Sequence, residues 1–171
     1  MRIFLLALLL ALPLTGLAEP LQVGSQLDAF SIEDQFGKSH AVDGSLRAIL
    51  FTRDMDAGEL VKAALSEEGS ARLAGAGALY VSDVSGMPGL VRRIFAIPSM
   101  RKRAYPMGLD VDGSLTRDFP STEGRATLLV LDGLQVTRIE ELDSPEAIRA
   151  ALARLAAPEP GAAETPAQPA R

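Results

Sequence analysis

Three consecutive stretches decide the fold: Arg47-Ala48-Ile49-Leu50-Phe51-Thr52, then Asp54-Met55-Asp56-Ala57-Gly58-Glu59, then Ala76-Gly77-Ala78-Leu79-Tyr80-Val81-Ser82. The first and third are short, nearly unbroken apolar runs, the pattern of strands buried on both faces. Between them, residues 58–66 place Leu60, Val61, Ala64 and Leu65 on one helical stripe. A strand, a helix and a strand in that order require parallel pairing with the helix packed on the sheet.

The flanks extend this unit. Upstream, residues 29–32 and 39–42 read as two short strands around the turn cluster Glu33-Asp34-Gln35-Phe36-Gly37-Lys38. Downstream, residues 88–97 read as a helix opened by Pro88, with Leu90, Val91, Ile94 and Phe95 inward and Arg92 and Arg93 outward. Residues 107–111 form a short strand ending at the Asp112-Gly113 turn. Ala126-Thr127-Leu128-Leu129-Val130-Leu131 is the strongest strand signal. The tight-turn dipeptide Asp132-Gly133 then returns the chain into the alternating stretch 134–140. Ser144 and Pro145 open a final helix as N-cap and first helical residue, with Ile148, Leu152 and Leu155 as its buried stripe. The order β-β-β-α-β-α-β-β-β-α predicts a three-layer α/β/α sandwich on a mixed central sheet.

The ends differ from this body. Met1-Arg2 leads into Ile3-Phe4-Leu5-Leu6-Ala7-Leu8-Leu9-Leu10-Ala11-Leu12, and Gly16 and Ala18 supply the small residues of an export cleavage site. Residues 1–18 are therefore expected to be a cleaved signal peptide, too short for a spanning helix, and to leave no stable membrane anchor. Residues 157–171, rich in alanine and proline, are expected to form a disordered tail.

Composition removes whole classes of chemistry. The chain has 171 residues, a net charge of -5, no cysteine and one histidine, His40. Disulfides, thiolate metal sites, cysteine nucleophiles and redox thiols are excluded, and so is a multi-histidine centre within one chain. The acidic balance argues against a nucleic-acid partner.

Val23-Gly24, Phe30-Ser31-Ile32 and Asp34-Gln35-Phe36-Gly37 form an opening hairpin. Ala48-Ile49-Leu50-Phe51 runs into Thr52-Arg53-Asp54-Met55-Asp56-Ala57-Gly58-Glu59, and Gly124-Arg125-Ala126 opens the strand that ends at Asp132-Gly133. In this order and spacing the chain resembles the thioredoxin-like superfamily, and within it the peroxiredoxin-type branch, over residues 22–156. The resemblance implies a thioredoxin-like domain over 19–156. It also implies that the family's Cys-x-x-Cys pair falls on Asp56 and Glu59 and its cis-proline on Ala126. It is similar in this to cysteine-free thioredoxin-like proteins of the bacterial periplasm, and it supplies no activity for them.

Two groups of side chains are candidates for function. Asp54, Met55, Asp56 and Glu59, with Arg125 and Ala126, mark the face that bears the family's active site. Its carboxylates either cap a helix, form a recognition loop, or hold a divalent cation weakly. Arg125 is expected to pair with Asp54 or Asp56. Arg92, Arg93, Arg101, Lys102 and Arg103 form the second group, either a solvated face or a docking patch for an anionic ligand, lipid headgroups or an acidic protein. Asp110-Val111-Asp112-Gly113 begins like a calcium loop without its later ligands and reads as a turn. His40 with Ser39 and Asp43 does not make a hydrolase triad, because sequence neighbours rarely build one.

The expectation is an exported, periplasmic, non-catalytic binding or scaffold module with a protein partner and no cofactor or resident metal. The contrasting class is a cysteine-independent enzyme or cation-binding protein using Asp54, Asp56 and Glu59. A third is an envelope adaptor that works through residues 92–103.

Overall fold

The computed structural model describes residues 19–66 and 68–157. The expected signal peptide over 1–18 and the tail beyond Ala157 lie outside them. The elements are β1 (Phe30–Glu33), β2 (Ser39–Val42), β3 (Ala48–Thr52), α1 (Met55–Ala64), α2 (Gly69–Ala76) and β4 (Ala78–Asp83). There follow α3 (Gly89–Val91), a π-helical segment (Arg92–Ala96), α4 (Ile97–Met100), β5 (Gly108–Asp110), β6 (Ala126–Asp132), β7 (Gln135–Leu142) and α5 (Pro145–Ala156).

The central sheet is mixed and five-stranded, in the order β5-β4-β3-β6-β7. β3 pairs with β4, and β4 with β5, in parallel; β3 with β6, and β6 with β7, are antiparallel. The apolar runs that predicted buried strands are buried: every residue of β3 is inaccessible. Alternate β3 side chains serve two cores. Ala48 and Leu50 join Val61 and Leu65 of α1, Leu73 of α2, and Ile148 and Leu152 of α5 on the helical side. Ile49 and Phe51 face Leu27, Ile32, Val42 and Phe119 on the other. On that second side the β1-β2 hairpin and the chain around Phe119 pack against the sheet.

Three local differences from the sequence pattern have physical causes. Helix α1 begins at Met55, three residues before the helix start at residue 58 that the pattern predicts, because Asp54 caps it. Helix α2 has no counterpart in the pattern. It is short and rich in Gly, Ala and Ser, and it forms where small side chains let it pack on α5 and seat Gly69 against Tyr105. A Cβ at Gly69 would meet the Tyr105 ring at 2.7 Å.

The third difference is an inversion. Residues 89–100 are helical, but Leu90, Val91, Ile94 and Phe95 face solvent, with relative exposures of 72%, 46%, 51% and 69%. Arg92, expected outward, turns inward. Its Nη1 donates to the carbonyls of Val84 at 3.2 Å and Val111 at 3.1 Å, the residues that follow the ends of β4 and β5. Pro98 accounts for the wider π turn, since its ring would press on the carbonyl of Ile94 in a regular helix.

Candidate functional site

The site is built at the step from β3 to α1. Asp54 sits in extended conformation at the N-cap, and its Oδ1 accepts from the Ala57 N–H at 2.9 Å. Its Oδ2 accepts from the Gly124 N–H at 3.2 Å, so one carboxylate fixes both the helix start and the loop before β6. Gly124 has φ +72°, a conformation natural to glycine in that turn. Asp54 is thereby committed to capping. Glu59 pairs with Lys62 one turn on, on the exposed helix face. Met55 and Asp56 occupy the first turn and are exposed. Among the described residues no three Asp, Glu or His side chains stand close enough to hold a metal ion.

Arg125 and Ala126 do not join this group. Arg125 Nη1 lies 3.7 Å from Glu141 and 4.0 Å from Asp143, not against Asp54 or Asp56. The cause is register: Ala126 pairs with Leu142, which brings the preceding residue beside the end of β7. Ala126 is fully buried in the helix-side core, and the peptide bond before it is trans. It shapes the sheet and offers nothing to a ligand.

The basic group is also divided. Arg92 satisfies backbone carbonyls, and Arg101 Nε donates to the Gln35 carbonyl at 2.8 Å. Arg93 and Lys102 are exposed and make no ion pair among the described residues. Arg103 alone comes to the α1 face, where it lines a pocket of about 100 Å³ with Asp54, Met55 and Glu59.

Beside these, the pocket holds residues the sequence pattern did not single out, Met87, Met100, Met107, Tyr80 and Tyr105 among them. Met55, Met87, Met100 and Met107, every methionine except Met1, line it. Thioethers are flexible and polarizable and adapt to irregular partners. Tyr80 and Tyr105 form the floor, their ring centroids 6.2 Å apart. The Tyr80 hydroxyl lies 3.0 Å from Thr52 Oγ1, and burial raises the pKa of this phenol above its ordinary value. Burial, with the neighbouring Tyr80, pushes Tyr105 up to about 12. Both are neutral hydrogen-bonding phenols at physiological pH. No sequence signal marks such a convergence, because its members come from α1, β4 and the 87–107 segment.

Arg53 is a second residue that sequence patterns missed. Its Nε donates to Asp83 Oδ2 at 3.1 Å and its Nη1 to Ser121 Oγ at 3.1 Å, and its guanidinium lies 5.2 Å from the centre of the Phe51 ring. It ties the ends of β3 and β4 to the loop before β6.

The remaining motifs are structural. Asp110 Oδ1 accepts from the Gly113 N–H at 2.9 Å and its Oδ2 from the Thr116 N–H at 2.8 Å, which makes a turn and not an ion loop. His40 Nε2 lies 2.8 Å from Asp34 Oδ2, while Asp43 bonds Ser45. Burial alone would raise the Asp34 carboxyl, but hydrogen bonds from His40 and from the Phe36 and Lys38 N–H groups outweigh it and hold it below the usual range.

Solved structures share this architecture. Peroxidoxin BcpB from Mycobacterium tuberculosis aligns at 21% identity over 78% of this chain and 95% of that one, with a TM-score of 0.52. A putative thiol:disulfide interchange protein DsbE from Chlorobium tepidum aligns at 13% over 79% and 95%, TM-score 0.53. A putative protein disulfide isomerase from Bacteroides thetaiotaomicron aligns at 14% over 78% and 87%, TM-score 0.52. No protein-family model and no curated protein matches the sequence. The fold is thioredoxin-like, on a chain that contains no cysteine.

Proposed function

We propose that this chain is an exported, periplasmic thioredoxin-like binding module that performs no thiol chemistry and receives a protein partner at the start of α1. The observation that supports it most is the replacement at that place. With no cysteine in the chain, the first turn of α1 presents Met55, Asp56 and Glu59 beside the methionine-lined pocket. A thiolate is required both for disulfide exchange and for attack on a peroxide, and none can form here. What the face retains is adaptable apolar surface, two phenol groups and flanking charge, a composition suited to a peptide segment.

Two measurements test the proposal. Purified protein should show no turnover of peroxide or of a disulfide substrate; activity above background would overturn it. A photoreactive residue replacing Met55 in cells should capture one defined periplasmic protein, while the same residue at Arg154 on α5 should not. Equal capture from both positions would remove the assignment of this face.

A further inference from the structure

The solvent-facing ridge of the 89–100 helix is unexplained by the α1 face. Leu90 and Phe95 are each more than two-thirds exposed, with Val91 and Ile94 between them. Four large apolar side chains on one short helix form the kind of surface that soluble proteins otherwise cover. Along the chain the charge flanking them has one sign. From residue 84 to residue 109 the chain holds five cations, Arg92, Arg93, Arg101, Lys102 and Arg103, and no aspartate or glutamate, in a protein of net charge -5.

We propose that this ridge docks reversibly on the anionic surface of a lipid bilayer, with Leu90, Val91, Ile94 and Phe95 entering the headgroup boundary and Arg93 and Lys102 lying among the phosphates. A helix with Leu, Ile and Phe on one face and Arg or Lys beside it lies in the interface plane, apolar side down by about 5–10 Å. Three observations favour a bilayer over other occupants. The ridge is an exposed apolar surface, and a fluid acyl layer needs no complementary groove to receive it. A second copy on a two-fold axis would set this cationic segment against itself with no acid on it to compensate. Arg92 anchors the helix underneath through backbone carbonyls, so the ridge is held outward by the fold. Among the described residues no helix is long and apolar enough to cross a membrane, which fits attachment at the surface.

The absence of cysteine supplies a clean test. Phe95→Cys in the full chain gives one labelling site for a polarity-sensitive nitrobenzoxadiazole probe, and Ala153→Cys on the exposed side of α5 gives a control. The apolar run within residues 1–18 can itself partition into vesicles, so the readout must be local to the ridge. Phosphatidylcholine vesicles containing phosphatidylglycerol should blue-shift the probe at 95 and not at 153. Pure phosphatidylcholine should give a much smaller shift, and high salt should reverse the effect. Arg93→Gln and Lys102→Gln should each weaken the partition read by the probe about fivefold. Leu90→Ser with Ile94→Ser should abolish the shift while leaving the circular dichroism spectrum intact. The proposal is overturned by no shift at 95 on anionic vesicles or by equal shifts at both sites. A shift at 95 that grows with protein concentration without vesicles, alongside a dimer in sedimentation, would assign the ridge to a second copy instead.

Discussion

In α5, Ile148, Leu152 and Leu155 recur at helical spacing and are buried in the helix-side core. In the 89–100 helix, Leu90, Val91, Ile94 and Phe95 recur at comparable spacing and stand in solvent. Periodicity establishes that a helix has an apolar face; it does not say which way that face turns. In α5 nothing competes with burial: Ser144 and Pro145 close the start, and Glu140 holds Arg154 at the surface. In the 89–100 helix the side chain opposite the stripe is Arg92, and the strand ends beneath it bring the carbonyls of Val84 and Val111 within its reach. Satisfying them with a charged donor fixes the rotation and leaves the stripe outside.

The comparison can be broken directly. Leu152→Ala should destabilise the protein by about 2–5 kcal/mol in urea unfolding, the cost of a cavity in a packed core. Leu90→Ala should change stability by no more than about 0.5 kcal/mol. Equal losses would mean that the 89–100 stripe is buried after all.

The hairpin that covers the other side of the sheet gives the next largest effect. Asp34→Ala should cost about 3 kcal/mol, because it removes a buried carboxylate that organises the turn between β1 and β2. Since Asp34 is held below its ordinary value in the fold, its contribution is present above about pH 4 and lost as the pH falls through the folded value. Acid titration of unfolding should show a smaller loss in Asp34→Ala than in the parent chain. Asp43 and Asp112, lowered by hydrogen bonds from Ser45 and Ser114, act in the same direction at the surface.

Arg92→Met keeps an unbranched apolar stem and removes the donors. It should cost about 1.5 kcal/mol, whereas Arg93→Met should be close to neutral. If the two variants unfold alike, Arg92 does not set the rotation of the helix. Asp54→Ala should cost about 1 kcal/mol as a lost N-cap, read by thermal unfolding, and should free the loop at Gly124.

The fold was largely legible because its elements are local. The buried strands at 48–52 and 126–132, the hairpin turn after Asp132 and the Ser144-Pro145 helix start follow from side-chain periodicity and backbone preference. The candidate site was legible only where local chemistry decided it. Asp54 as a cap is written in its own neighbourhood, while the partner of Arg125 depended on how β6 pairs with β7. Ala126 was placed by resemblance at the active-site face, and strand alternation turned its side chain into the core.

By itself the sequence determined what chemistry is absent, since no arrangement of this chain can produce a thiolate. It also determined the order and type of most elements, because hydrogen-bonded backbone and alternating burial act over a few residues at a time. The tertiary structure alone decided that four methionines meet at one pocket, that the cations separate into anchors and free charges, and that an apolar stripe faces outward. Those outcomes depend on which buried carbonyls and cavities lie opposite a side chain, and segments far apart in the chain supply them.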